Sequence, residues 1–217
     1  RDAIERSCPQ CRIQLPVIER EPAPDRYAHI REEKNTLLFF GHLRYFANED
    51  AIKYFYKEIF HMVREKIPGV KLRIMGRGAT PFMRRMAADP NVELIGYADD
   101  IIAELKKAAL IIVPIRLGGG IRLKTLTAWK AGRAVISTSV GADGLPYKDG
   151  IDIAIADEPR DFSKKTIQLL NDDDLRKNIG EAGYANIQKN FNADKITSEI
   201  EGCYRGLIEG KGANEAR

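Results

Sequence analysis

The feature that most constrains this sequence is a regular alternation of short apolar runs with longer stretches of helical periodicity. Apolar runs occupy residues 36–40, 70–75, 92–95, 110–113 and 134–137 and, more weakly, 151–156. Runs of this length that end in glycine or turn residues are typical of buried parallel strands. The alternation therefore predicts βαβ units and an α/β fold, a Rossmann-like open parallel sheet with helices on both faces.

The chain divides into three parts by composition. Its 217 residues suit one domain with tails. Residues 1–34 are rich in Pro, Arg and Glu and lack periodicity, which indicates a linker or the tail of a missing N-terminal domain. Residues 35–208 are predicted to form the domain, and residues 209–217 a disordered C-terminal tail. Because the sequence begins with Arg rather than Met, we expect it to be a piece of a longer protein.

Composition excludes several classes of protein. No apolar run approaches the ~20 residues of a membrane helix, and the first residues lack the apolar core of a signal peptide. Three cysteines are too few for a disulfide scaffold. Cys8 and Cys11 have metal-ligand spacing, but a zinc site needs further ligands, so no metal is expected. These features predict a cytoplasmic protein.

Positive charge is concentrated in one stretch. The net charge of +4 is too small to argue for nucleic acid. Between positions 105 and 142, however, there is no acidic residue, and seven basic residues occur: Lys106, Lys107, Arg116, Arg122, Lys124, Lys130 and Arg133. Apart from Trp129, no aromatic residues are interleaved with them as base-stacking platforms, so a nucleic-acid partner is not expected. The stretch favours a small anionic ligand.

Three glycine-rich loops follow predicted strands, at 41–42, 76–78 and 118–120. Ligands of open parallel sheets bind beyond the carboxyl ends of the strands, where glycine permits close backbone approach. The sequence nevertheless does not match two common nucleotide-binding motifs. Pro81 stands where the dinucleotide fingerprint beginning at Gly76 needs Gly or Ala, and Leu123 replaces the glycine that a P-loop needs before Lys124.

The loop at 118–120 leads into a predicted helix with two cations, Arg122 and Lys124, in its first turn. Positive charge at a helix N-terminus opposes the helix dipole, and a bound diphosphate would compensate it. The alternative is that both side chains are solvated and the glycines only make a tight turn.

Four stretches, 38–51, 72–78, 118–138 and 140–145, now resemble a known family as a set. They are similar to the C-terminal domain of GT-B glycosyltransferases of the "glycosyl transferases group 1" (family four) type, and the likeness runs from Asn35 to Ile208. The resemblance implies half of a two-domain enzyme that transfers a sugar from a nucleotide diphosphate to a glycan or lipid-linked acceptor. It also implies retention of anomeric configuration and no cofactor beyond the nucleotide-sugar donor. A lipid-linked acceptor would bring the protein to the inner membrane face.

The resemblance also assigns roles to residues. Arg122 and Lys124 become the catalytic residues, because they would offset the charge of the departing diphosphate. Gly41 and Arg44 are expected near the donor phosphates, and Gly76, Gly78 and Tyr97 on the nucleoside side. The remaining expected substrate-binding residues are Gly118, Gly119, Gly120, Ile121 and Thr127.

Two departures from the family pattern weaken the resemblance. Where the family often carries Glu-x7-Glu, whose second Glu binds the donor ribose, this sequence has Gly119 and Thr127. Thr127 could hydrogen-bond the ribose or only the preceding turn of its own helix. A non-catalytic module with a decayed donor site is therefore the alternative. Since an acceptor domain does not fit before Asn35, the fragment is expected to be inactive alone.

Overall fold

A computed structural model describes residues 24–119, 123–191, 197–198, 200–202 and 204–205. The chain separates into two compact units, one formed by residues 23–187 and the other by residues 1–22 and 188–217. In the second unit, the described residues beyond position 191 are helical. The account below concerns the first unit, and the predicted domain boundaries of 35 and 208 remain predictions.

Six parallel strands form a single sheet in the order β3-β2-β1-β4-β5-β6. They are β1 (Glu33–Phe40), β2 (Lys71–Met75), β3 (Val92–Gly96), β4 (Ala108–Val113), β5 (Val135–Ser137) and β6 (Ala154–Ile155). Leu37 at the centre of β1 pairs with Leu72 on one side and with Leu110 on the other. Every residue of β4 is buried, as expected for a central strand covered on both faces. The predicted open parallel sheet is confirmed.

Strand boundaries differ from the predictions where a strand begins in polar residues. β1 starts at Glu33 rather than Thr36, because its polar first residues are exposed while still pairing with β4 at Ala108. β6 is reduced to Ala154–Ile155. The apolar-run criterion therefore finds the buried part of each strand and misses its solvated end.

Helices cover both faces of the sheet. They are α1 (Phe46–Tyr54), α2 (His61–Lys66), α3 (Pro81–Met86), α4 (Ile101–Lys107), α5 (Leu123–Lys130), α6 (Pro159–Asn171) and α7 (Asp173–Asn190). Residues Phe55–Phe60 join α1 to α2 in π-helical geometry, and two 3-10 turns occupy Pro24–Tyr27 and Val140–Ala142. α2 packs against α6, and α4 packs against α5.

Local sequence signals account for several helix ends. Pro81 is the first residue of α3, where its missing N–H costs nothing, and the Thr80 hydroxyl accepts a bond from the Met83 amide. The Asp100 carboxylate accepts from the Ala103 amide at 3.0 Å and caps α4. After α5, Gly132 adopts a φ of 67°, which ends the helix.

The strand order places a change of direction between β1 and β4. From β1 the chain proceeds outward through β2 and β3, and then returns to β4 on the other side of β1. In such sheets the loops after the two central strands diverge and leave a crevice at their carboxyl ends. Among the described residues, none of the helices combines the length and apolar composition that a membrane-spanning segment needs.

Candidate functional site

Backbone hydrogen bonds join the loops that follow β1, β2 and β3. The Gly41 amide donates to the Met75 carbonyl at 3.0 Å, and the Leu43 amide donates to Arg77 at 2.9 Å. The Gly76 amide donates to the Gly96 carbonyl at 2.7 Å. The three loops therefore form one continuous surface at the carboxyl edge of the sheet.

Two predicted site glycines are in direct contact within this surface. A β-carbon on Gly76 would overlap the carbonyl oxygen of Gly41 and lie 2.9 Å from its carbonyl carbon. Only glycine fits at position 76. Gly78, at a φ of 83°, packs against Arg44, whose β-carbon would be 3.1 Å from a β-carbon on Gly78. The structure thus brings together four of the predicted residues, Gly41, Arg44, Gly76 and Gly78.

A cleft of about 250 Å³ opens beside these glycines. Its lining includes Gly41, Gly76 and Tyr97, three of the residues predicted to bind substrate. The Tyr97 side chain is 60% exposed, and the Arg77 guanidinium lies 4.0 Å from its ring centre in a cation–π contact. A largely apolar cleft with an exposed aromatic ring in its lining suits a planar heterocycle. Arg77 was not among the predicted site residues.

Lys124 extends from the first turn of α5 to the carboxyl end of β1. Its ammonium donates to the Phe40 carbonyl and, at 3.2 Å, to the Asn48 side-chain oxygen. The same ammonium lies 4.2 Å from the ring centre of Phe39 and 5.3 Å from that of Phe40. It is therefore held in the crevice between β1 and β4, beside Gly41, rather than extended into solvent.

Asn48 is a site residue that the sequence analysis did not single out. Its side chain is almost fully buried and donates to the His42 carbonyl at 2.9 Å. One sequence feature could have identified Asn48. It precedes the apolar residues Ile52 and Phe55 by four and seven positions, a spacing that places a polar residue on the buried face of α1. The identity of its partners, however, depends on the tertiary fold.

The loop after β4 is anchored to α1 through Arg116. The guanidinium makes two hydrogen bonds to the Asp50 carboxylate, at 2.7 and 3.1 Å, and lies 4.1 Å from the Tyr54 ring centre. The hydrogen bond to Asp50 raises the pKa of Arg116. Bidentate geometry fixes the direction of the side chain as well as its charge.

The glycine-rich loop is described only in part. Gly118, at a φ of 91°, and Gly119 are exposed at the carboxyl edge. Gly120, Ile121 and Arg122 lie outside the described residues, so their roles remain predictions. Thr127 donates its hydroxyl to the Leu123 carbonyl at 2.7 Å, which is the hydrogen bond to its own helix anticipated above. Its oxygen can only accept from a ligand while that bond persists.

The seven basic residues between positions 105 and 142 were expected to surround this loop, and for three of them that expectation is wrong. Lys106 and Arg133 line a cavity at the amino edge of the sheet, with Ala109 and Ala134, and Arg133 pairs with Glu32. Lys107 pairs with Glu104 at 2.6 Å. The helices run antiparallel to the strands, so cations near helix C-termini lie opposite the crevice.

No cluster of three or more His, Cys, Asp or Glu side chains that could hold a metal occurs within the described ranges. Cys8 and Cys11, the pair with metal-ligand spacing, lie outside those ranges.

An open parallel sheet with three glycine loops around a β1–β4 crevice defines a Rossmann-like domain of the kind that binds nucleotides. The sequence profile of the family "Glycosyl transferases group 1" matches residues 34–172. The chain therefore belongs to this glycosyltransferase family, as the resemblance implied.

The chain is also similar to a curated protein and to solved structures of the same fold. An uncharacterized 44.6 kDa protein in the cps region of Klebsiella pneumoniae is 26% identical over 185 residues, 82% of this chain and 48% of that protein. TarM of S. aureus superposes with a TM-score of 0.72 at 19% identity, covering 87% of this chain and 38% of TarM. The C-terminal domain of LpcC from Francisella tularensis gives 0.61 at 19% identity, covering 79% and 95%.

The coverage is consistent with the predicted half of a GT-B fold. This chain spans about half the length of the Klebsiella relative, whereas it covers nearly all of the isolated LpcC domain. The prediction of a C-terminal domain of this family is confirmed.

Proposed function

We propose that the chain is the donor-binding half of a retaining, metal-independent glycosyltransferase. It would hold a nucleoside diphosphate sugar while an acceptor glycan or lipid-linked saccharide is bound by another part of the full protein. The observation that carries this proposal is the position of Lys124, whose ammonium lies beside Gly41 at the end of β1. A cation fixed beside the glycine loops, at the carboxyl ends of the strands, is suited to a diphosphate.

The chemistry follows from the charge that develops during transfer. As the bond between the sugar and the diphosphate breaks, negative charge accumulates on the leaving oxygen, and a preorganised cation stabilises it. Lys124 and Arg122 would perform this role in place of a metal ion. The cleft lined by Gly41, Gly76 and Tyr97 would take the nucleoside.

The related structures support a nucleotide ligand of this class. The TarM structure was determined in complex with UDP and α-GlcNAc-glycerol. Because this chain covers only 38% of TarM, transfer would require residues beyond those in the sequence given, and we expect no transfer by the chain alone.

Calorimetric titration with UDP, GDP and ADP tests the proposal. We expect at least one to bind with a Kd of roughly 0.1 to 1 mM, which corresponds to about 4 to 5.5 kcal/mol. The double variant Arg122→Ala/Lys124→Ala should abolish this binding. Lys177→Ala, which removes one positive charge beside the cavity at the amino edge, is the control and should bind normally. Absence of binding by all three nucleotides at millimolar concentration would refute the donor site.

Thr127 supports a second candidate, a non-catalytic module with a decayed donor site. Its hydroxyl bonds to its own helix, and no carboxylate stands at this position for the ribose. The two candidates differ in the full-length protein. If the full-length protein neither transferred nor hydrolysed any nucleotide sugar, the non-catalytic module would be the favoured candidate.

A further inference from the structure

We infer that Asn48 is a positioning residue that holds the Lys124 ammonium for the donor diphosphate, an inference that rests on the proposed function. Asn48 lies in stretch 38–51, which contributes to the family resemblance, but the sequence assigned it no role. Its role follows from the contacts of one side-chain amide that joins the loop after β1 to the first turn of α5.

The orientation of the Asn48 amide is determined by its two partners. Its nitrogen donates to the His42 carbonyl at 2.9 Å, and its oxygen accepts from the Lys124 ammonium at 3.2 Å. A carbonyl cannot donate and an ammonium cannot accept, so the opposite orientation would lose both bonds. With only 9% of the residue exposed, water has little access to replace either partner.

The space around the ammonium is equally restricted. A β-carbon on Gly41 would lie 2.7 Å from the Lys124 nitrogen and 3.1 Å from the Asn48 amide nitrogen. The ammonium can therefore take this position only while residue 41 lacks a side chain, and Asn48 supplies one of its acceptors beside the Phe40 carbonyl.

A neutral acceptor differs from a carboxylate in its effect on a diphosphate. A lysine side chain loses rotamer entropy when it is fixed, and fixing it before the ligand arrives lowers the cost of binding. Asn48 fixes Lys124 without cancelling its charge. By contrast Arg116, held by the same helical turn, is neutralised by Asp50. α1 thus anchors the loop through a carboxylate on Arg116, and it holds Lys124 through a neutral amide.

The test compares a nucleoside diphosphate with its parent nucleoside by NMR titration. The probes are whichever of UDP, GDP and ADP binds best and the corresponding nucleoside. Asn48→Ala should weaken diphosphate binding about tenfold and leave nucleoside binding unchanged. Asn48→Asp should weaken it at least as much, because the carboxylate neutralises Lys124. Asn91→Ala is the matched control, since Asn91 likewise donates to backbone carbonyls, those of Pro68 and Val70, away from the site. It should change neither affinity.

A double-mutant cycle separates positioning from general destabilisation. In a Lys124→Ala background, Asn48→Ala should cause no further loss of diphosphate affinity, because the two residues act through one interaction. Without ligand, Asn48→Ala should also shift the side-chain resonances of Lys124, whereas Asn91→Ala should not.

Three results would overturn the inference while leaving the donor site intact: equal losses for diphosphate and nucleoside, additive losses in the double variant, or unchanged Lys124 resonances. If the unsubstituted chain bound none of the three nucleotides, the proposed function would fall, and the inference with it.

Discussion

The Lys124 ammonium occupies the space beside Gly41 that a side chain at that position would need, 2.7 Å from the site of the missing β-carbon. Gly41 also has a φ of 143°, a conformation that residues with a side chain rarely adopt. The glycine after β1 and the lysine after β4 are therefore coupled, although they are distant in sequence.

Replacing Gly41 with alanine should displace Lys124. We expect Gly41→Ala to cost about 1 to 3 kcal/mol of unfolding free energy through backbone strain and to remove most of the diphosphate-dependent affinity. Denaturant unfolding and nucleotide titration measure the two effects. Gly150→Ala is the control, because Gly150 also has a positive φ but no atom within 4 Å of a β-carbon. Gly150→Ala should lose stability but keep its affinity for nucleotide. Loss of nucleotide binding in this variant would contradict the account.

Gly76→Ala should be more destabilising than Gly41→Ala. Its β-carbon would overlap the backbone of Gly41, which cannot move without breaking the bond from Gly41 to Met75. Overpacking and backbone strain together predict a loss of about 3 kcal/mol or more. Gly96→Ala is the control. Gly96 has a φ of 75° but no atom within 4 Å of a β-carbon, so this variant should lose stability through backbone strain only. Equal unfolding midpoints for these two variants would show that the Gly41–Gly76 contact is not as close as described.

Restoring a carboxylate at position 127 should strengthen donor binding. Thr127→Glu supplies an ionised acceptor for ribose hydroxyls, and one charged hydrogen bond of about 1.5 kcal/mol corresponds to a tenfold gain in affinity. Thr127→Gln is the matched control without charge and should gain less. The gain should be absent with a 2′,3′-dideoxynucleoside diphosphate. No gain with the ordinary nucleotide would mean that residue 127 does not face the ribose.

Acid should weaken the fold partly through Asp100. The hydrogen bond from the Ala103 amide, followed by the hydrogen bond from Tyr27 and the positive charge of Arg26, holds the pKa of this carboxyl below its usual 3.8. The stabilisation is therefore present above pH 3.8 and is lost as the pH falls through the lower pKa of the folded state. Asp100→Asn, which keeps a helix cap, should lose less unfolding free energy over this acid range than the unsubstituted chain. Asp99→Asn, an equal charge change at the neighbouring residue, is the control; an unaltered acid dependence in Asp100→Asn would refute the role of the carboxylate.

Much of the fold could be predicted because the signals that specify it are local. The apolar run of β4 is buried on both faces, and Pro81 and Asp100 mark their helix starts within one turn. The glycines at 41 and 76 likewise mark the ends of strands whose parallel pairing brings them together.

The contacts that organise the site could not be predicted, because they join residues distant in sequence. Lys124 and Asn48 are 76 positions apart, and Arg116 and Asp50 are 66 apart. The stretch of seven cations was misleading for a related reason. Each strand and each helix carries the chain from one end of the parallel strands to the other. Charges that are near in sequence can therefore lie at opposite ends, as Arg116 does at the carboxyl ends of the strands and Arg133 at their amino ends.

The most direct measurement is an amide NMR map of the chain titrated with UDP, GDP and ADP. The account predicts that the largest shifts for the nucleotide that binds fall at the carboxyl edge, on Gly41, Gly76 and Gly118, and that they vanish in Arg122→Ala/Lys124→Ala. Shifts concentrated instead at the amino edge, around Gly132 and Lys177, would contradict it, as would a spectrum that none of the three nucleotides changes.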